Sequence, residues 1–314
     1  MKIDLTKYCG ASRARNTHLL ALEIEKTYRE NKSVLLSLGT DGWDIVANGI
    51  EDIVKEIADV LGISYEHIIF ESADLLTKSN TFLHVKRQNR LLPLALHPCE
   101  YKSPDQLGTG LFLGRATNER LYAFWKSCNL TNSLRTCHLQ VQNIEEHTSD
   151  IAGFICEHND KWKAIKDLLP YTDIGQEFNF HNYKTVQEKI NRFDLDKVWI
   201  SVYNKIDIEI VCETNITANT FFITEKTFRP LHYGRLFLVI GSPQFEQNLK
   251  DLGFDIFDDI LDKSYDNLES YMRVDAVFNS LQKYINNPID YNILKQRLIN
   301  NQKLLVKVAH EQLL

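Results

Sequence analysis

The run LFLVIG at residues 236–241 places five large apolar side chains in a row and ends on a glycine. A short apolar run with this boundary reads as a buried strand. It does not stand alone. SVLLSL at 33–38, HIIFE at 67–71, LFLG at 111–114, CHLQV at 137–141, VWISVY at 198–203 and IEIVCE at 208–213 are further strand-like runs. Between them lie helical stretches. In IEDIVKEIADVL, 50–61, apolar side chains fall at 50, 53, 54, 57, 58 and 61, a helical stripe that Gly62 closes. NERLYAFWKSC, 118–128, reads as another helix, and 267–314 is predominantly helical with a break near Asn287–Pro288. Strands alternating with helices imply an α/β fold with parallel sheets.

The segment PCEYKSPDQLGTG, 98–110, is rich in Pro, Gly and polar residues and reads as a linker. The chain of 314 residues then divides into an N-terminal Rossmann-like domain, 1–105, and a C-terminal one, 106–314, that carries the terminal helices. Two such halves facing a central cleft give the expected architecture, with ligands at the carboxyl ends of the strands.

The composition, 44% hydrophobic and 25% charged, suits an ordinary globular core. A formal net charge of −6 argues against gripping nucleic acid through global charge, though a basic cleft is compatible with it. No apolar run approaches the roughly 18–20 residues that span a bilayer, and the opening MKIDLTKYCGASRARNTH has no secretory apolar stretch. A cytoplasmic location is expected, the host cytoplasm if the chain is viral. The six cysteines, Cys9, Cys99, Cys128, Cys137, Cys156 and Cys212, form no CxxC pair and read as reduced thiols.

The chemistry concentrates just before LFLVIG. In TEKTFRPLHYG, Thr224 suits a helix N-cap and Gly234 a helix end. Glu225 then sits in the first turn, where a carboxylate complements the helix dipole, whereas Lys226 beside it has the wrong sign unless an anion is present. Such a pair divides the work on a nucleotide: the carboxylate accepts ribose hydroxyls and the ammonium meets phosphate. The same pair also occurs on plain solvated helices. Pro230 lies inside the helix and predicts a kink or an early end. After the strand, Ser242 and Pro243 fit an N-cap and a first helical position, so that Gly241 and Ser242 form a strand-to-helix turn whose amides can approach a ligand.

Residues 224–266 resemble the C-terminal part of a glycosyltransferase group common in phage and large-virus genomes, related to the fucosyltransferase-like GT-B enzymes. The shared pattern is Thr224-Glu225-Lys226, Pro230, the strand ending in Gly241, Leu252-Gly253-Phe254, Phe257-Asp258 and Asp262-Lys263-Ser264-Tyr265-Asp266. The resemblance implies that Glu225 binds the donor ribose and Lys226 the diphosphate of a nucleotide-sugar co-substrate. A weaker echo at LFLGRATNERL offers Arg115 and Arg120 as a clamp on the leaving diphosphate. Glu213, at the end of IEIVCE, and Asn215 are further donor-side candidates; the loop that carries Asn215 and Asn219 suits the base or the sugar, or is a plain polar surface loop.

The acceptor side is less marked. A base is needed to take the acceptor's proton. Asp41 and Asp44 after SVLLSLGT, and Glu71 and Asp74 at the next strand's end, are the candidates, with His84 and His97 beside them. Ser12–His18, with Arg13 and Arg15, is a small basic cluster suited to acceptor phosphates, or to an ordinary helix lead-in. No HExxH, Walker A loop, GxGxxG or plausibly placed DxD is present, so no metal and no cofactor beyond the donor is expected. The implied function is transfer of a sugar to an acceptor hydroxyl. The acceptor is a hydroxymethylated base in phage DNA, or a glycan or lipopolysaccharide. A non-catalytic nucleotide-binding module is the alternative from another class.

Overall fold

The computed structural model describes residues 2–5, 8, 17–37, 49–72, 81–86, 99–114, 117–137, 144–174, 199–214, 216 and 220–311, with backbone only at 83–86, 144–150 and 309–311. The chain is α/β and forms two compact units. One comprises Met1–Leu96, Ala218–Thr224 and Lys307–Leu314, and the other His97–Thr217 and Glu225–Val306.

The first unit holds β1 (Lys2–Asp4), α1 (Thr17–Asn31), β2 (Val34–Ser37), α2 (Ile50–Leu61), β3 (Ile68–Ser72) and β4 (Leu83–Lys86). Its four strands pair in chain order, all parallel. The apolar stripe of α2 is buried through Val54, Ile57 and Ala58 and joins Leu20 and Ile24 of α1 and Leu36 and Phe70 of the sheet in one core. Gly62 ends α2 as expected: its φ is 65°, a left-handed value that glycine takes without strain, and the next amide returns to Ala58 O at 2.9 Å.

The second unit holds β5 (Thr109–Leu113), α3 (Asn118–Ser127), β6 (Ser133–Cys137), α4 (Ile144–Glu157), α5 (Asn159–Ile165), β7 (Tyr171–Thr172), β8 (Ile208–Cys212), α6 (Glu225–His232), β9 (Leu236–Ile240), α7 (Phe245–Asp251), α8 (Ser270–Asn286) and, up to Val306, α9 (Tyr291–Glu311). The sheet order is β7-β6-β5-β8-β9; all pairs are parallel except β6–β7. From β5 the sheet grows first toward β6 and then, after β7, on the opposite side through β8 and β9. The order therefore reverses between β5 and β8, and an open α/β sheet binds ligands outside the carboxyl ends of its strands at such a point.

LFLVIG is a strand with every residue buried. The helix before it ends at Gly234, φ 62°, where the Arg235 amide reaches back to Pro230 O at 2.8 Å. Pro230 thus falls in the last turn of α6.

Two strand expectations are corrected. Residues 199–203 of VWISVY are helical. Their burial does not alternate as a strand's would: Val202 and Tyr203 are both buried while Ile200 is exposed. CHLQV marks the end of a strand: Ser133–Cys137 pairs with β5, and positions 138–141 lie outside the described residues. The polar opening SLRTC hid this strand; Arg135 keeps its charge at the sheet margin on Asp173 at 3.3 Å.

Among the described residues no helix is long and apolar enough to cross a membrane. Among the described residues, Cys128, Cys156 and Cys212 are free thiols.

Candidate functional site

Register aligns the carboxyl ends of β5, β8 and β9, at Leu113, Cys212 and Ile240. Glu213 is the first residue beyond β8 and is fully buried. Arg120, on the first turns of α3, donates from Nη2 to Glu213 O at 2.6 Å. One buried guanidinium thus spans the point where strand order reverses. The Glu213 carboxylate faces inward on the protein. It accepts Thr227 Oγ1 at 2.6 Å and the Thr214 amide at 3.2 Å, so it pins the first turn of α6 to the end of β8.

That pinning fixes the pair that the sequence singled out. Lys226 Nζ donates to Glu225 Oε1 at 3.0 Å and to Thr214 Oγ1 at 3.2 Å. Its side chain is only 14% exposed, whereas that of Glu225 is 46% exposed. Burial opposes ionisation of Glu225, but the Lys226 ammonium, followed by Arg229, overcomes it and holds the carboxyl at about 2. The site therefore presents a fixed ammonium and a permanently ionised acceptor side by side. Thr224, the residue before α6, is fully buried.

Beneath the pair lies a charged layer that the sequence reading missed. Arg229, one turn after Glu225, is buried against the ring of Trp199, 4.5 Å from its centroid, and reaches Glu209 Oε1 at 3.5 Å. Glu209 sits inside β8 with 1% of its surface exposed and accepts the hydroxyl of Tyr203. The available signal was a lone carboxylate in an otherwise apolar strand. Burial pushes Glu209 up to about 7 against the pull of Arg229 and Tyr203.

The sign for stability follows directly. A carboxyl whose pKa is higher folded than unfolded contributes stability that is complete below its ordinary value of 4.5 and is lost as pH rises through about 7. Relative to Glu209→Gln, the native chain should lose on the order of 3 kcal/mol between pH 4.5 and pH 8. Urea unfolding of both proteins across that range checks it; parallel curves would reject the assignment.

The strand-to-helix turn after β9 departs from expectation. The helix begins at Phe245, not Pro243, and Gln244 occupies the cap position with φ 61°. Ser242 is buried, and its carbonyl accepts the Phe245 amide at 3.2 Å. The helix amides are taken by Asp266, whose carboxylate oxygens accept Glu246 N at 3.1 Å and Gln247 N at 3.0 Å. An internal carboxylate already holds the place reserved for a ligand's anion. The Gly241 carbonyl accepts Arg273 Nη1, and a Cβ at Gly241 would stand 3.0 Å from the Phe245 ring, a contact tight enough that the ring would have to give.

Arg120, Glu213, Glu225, Lys226, Gly241 and Ser242 therefore share one strand-end edge. Arg115 and Asn215 on the donor side, Asn219, the base candidates Asp41, Asp44 and Asp74, and His97 and residues 12–16 all lie outside the described residues. Glu71 is described and is 4% exposed; Lys2 and Ser37 donate to it, which makes it a buried anchor of the first sheet. Among the described residues no group of three His, Cys, Asp or Glu side chains is placed to hold a metal. No family model, curated protein or solved structure matches the chain.

Proposed function

We propose that the chain is a glycosyltransferase of the GT-B type, moving a sugar from a nucleotide-diphosphate sugar to an acceptor hydroxyl. The observation that carries the reading is the held Lys226 ammonium beside the ionised Glu225 carboxylate, in the first turn of a helix at the carboxyl edge of a parallel sheet. A helix N-terminus and a fixed cation together suit a diphosphate, and the partly exposed carboxylate suits ribose hydroxyls.

The chemistry asked of these residues is electrostatic. As the bond between the anomeric carbon and the diphosphate oxygen breaks, negative charge grows on the leaving group. A cation already positioned stabilises that charge without reorganising. Arg120 and Glu213 act one step away: they fix the end of β8 and the start of α6, and hence the Lys226 position. The acceptor's proton goes to a carboxylate, for which Asp41, Asp44 and Asp74 are the candidates. The acceptor is a hydroxymethylated base in phage DNA or, in the alternative, a glycan or lipopolysaccharide; duplex DNA demands a local basic surface.

The test is a thermal-shift screen of the intact protein against nucleotide-sugars, followed by a donor-hydrolysis assay on the donor that binds. A ligand that prefers the folded state raises the unfolding temperature by mass action. The expected result is stabilisation by one nucleotide family together with slow release of free sugar. Binding with neither hydrolysis nor transfer would make the chain a nucleotide-binding module, and a flat response to every donor would remove the nucleotide altogether.

A further inference from the structure

Arg273 lies in the first turns of α8 with 1% of its surface exposed. Its Nη1 donates to Ile216 O at 2.9 Å and to the Gly241 carbonyl. Gly241 directly follows β9 and Ile216 lies on the segment after β8, so one nitrogen ties that segment to the end of β9. The other side of the guanidinium is unspent. Nε and Nη2 are shut off from solvent and make no hydrogen bond among the described residues.

Buried donors are almost always satisfied, and a buried cation without an acceptor is costly. The acids that face Arg273 are engaged elsewhere or act only through space. Asp266 spends both oxygens on the amides of α7, and Glu119 accepts Ser270 Oγ at 3.2 Å. Glu269 acts on it through space without forming an ion pair among the described residues. Burial accordingly draws the Arg273 pKa down despite these three carboxylates.

The geometry of the free edge is specific. In a guanidinium, Nε–H and one Nη–H lie parallel and meet two oxygens of one oxyanion at once. Arg273 is anchored at the carboxyl end of β9 and Lys226 just past the carboxyl end of β8, and the turn after β9 has lost its own anion site to Asp266. We propose that the Nε–Nη2 edge of Arg273 is a phosphoryl-binding site, which takes one phosphate of the nucleotide ligand while Nη1 holds the end of β9. This rests on the nucleotide part of the function proposed above, but not on sugar transfer. The edge is covered by protein atoms, so capture of the anion includes a local shift of those atoms.

Inorganic pyrophosphate is the probe, titrated into the full chain and followed by the unfolding temperature and by the arginine Nε–H resonances. The expected result is stabilisation of the wild type, with one arginine Nε–H signal moving on titration, that signal being absent from Arg273→Lys. Arg273→Gln keeps a donor for the carbonyls and removes the charge and the fork, and should weaken pyrophosphate by roughly tenfold or more. Arg273→Lys keeps the charge and loses the fork, and should fall between. An unchanged pyrophosphate affinity in Arg273→Gln would overturn the proposal. So would a wild-type Arg273 signal that stays still at saturating pyrophosphate, a readout that holds even where a variant fails to fold. Donor hydrolysis is scored separately: its absence with pyrophosphate captured at Arg273 rejects the transferase and leaves this site standing.

Discussion

Replacing Lys226 with alanine should abolish donor turnover and leave the protein folded. The two halves of that expectation come from different magnitudes. Lys226 makes a 3.0 Å bond to a half-exposed carboxylate and a 3.2 Å bond to Thr214 among its contacts. Pairs with an exposed partner contribute about 0–1 kcal/mol, so the unfolding temperature should move little. A cation facing the charge that develops on a leaving group is a different matter. Removing one such group costs about 100- to 1000-fold in kcat, or about 3–4 kcal/mol of transition-state stabilisation. Lys226→Arg is the informative companion, because it keeps the charge while changing reach and hydrogen-bond geometry. It should retain part of the activity. Glu225→Gln, which keeps an acceptor oxygen, should weaken donor binding more than it slows chemistry. Steady-state kinetics beside thermal unfolding separate the effects. Wild-type kcat/KM in Lys226→Ala would remove this edge from the catalytic machinery.

Much of this edge was legible before any coordinates. The wrong-signed Lys226 in a first turn and the five-residue apolar run of β9 are local signals, and local signals survive into the fold. Gly62 and Gly234 were readable for the same reason, since each marks a backbone conformation that few other residues accept. What stayed hidden was decided at a distance. Residues 199–203 carry β-branched and aromatic side chains and look like a strand, but Trp199 and Tyr203 are drawn onto Phe112 and Arg229, and tertiary packing overrides the local preference. Ser242-Pro243 had every local mark of a helix start. Asp266, 24 positions further on, supplies the cap instead and moves the start to Phe245. Glu209, Arg229 and Arg273 were passed over because their meaning lies in partners on other elements.

The same logic gives the DKSYD stretch a structural reading and a large expected effect: Lys263→Ala should cost the second unit about 3–5 kcal/mol. Among the described residues β9 is the last strand of its sheet, and its outer backbone groups have no strand there to pair with. Lys263 Nζ donates to Phe237 O at 2.8 Å, and the Val239 amide donates to Tyr265 OH at 3.3 Å, so two side chains stand in for the missing neighbour. Both converge on Glu246, which accepts Lys263 at 2.8 Å on one oxygen and Tyr265 at 2.7 Å on the other. The Glu246 side chain is fully buried and that of Lys263 is 8% exposed. Truncating Lys263 leaves Glu246 as an uncompensated buried charge and frees a strand carbonyl, and that combination makes the loss large. Burial already raises the Glu246 pKa with Lys263 present, so the variant should take up a proton there on folding and lose stability most steeply at high pH. Lys263→Met combined with Glu246→Gln removes both charges while keeping an acceptor for Tyr265, and should recover more than half of the loss. Urea unfolding of the two variants measures the difference. A single-variant cost below about 1 kcal/mol would mean that the edge of β9 is held by packing of its buried side chains alone.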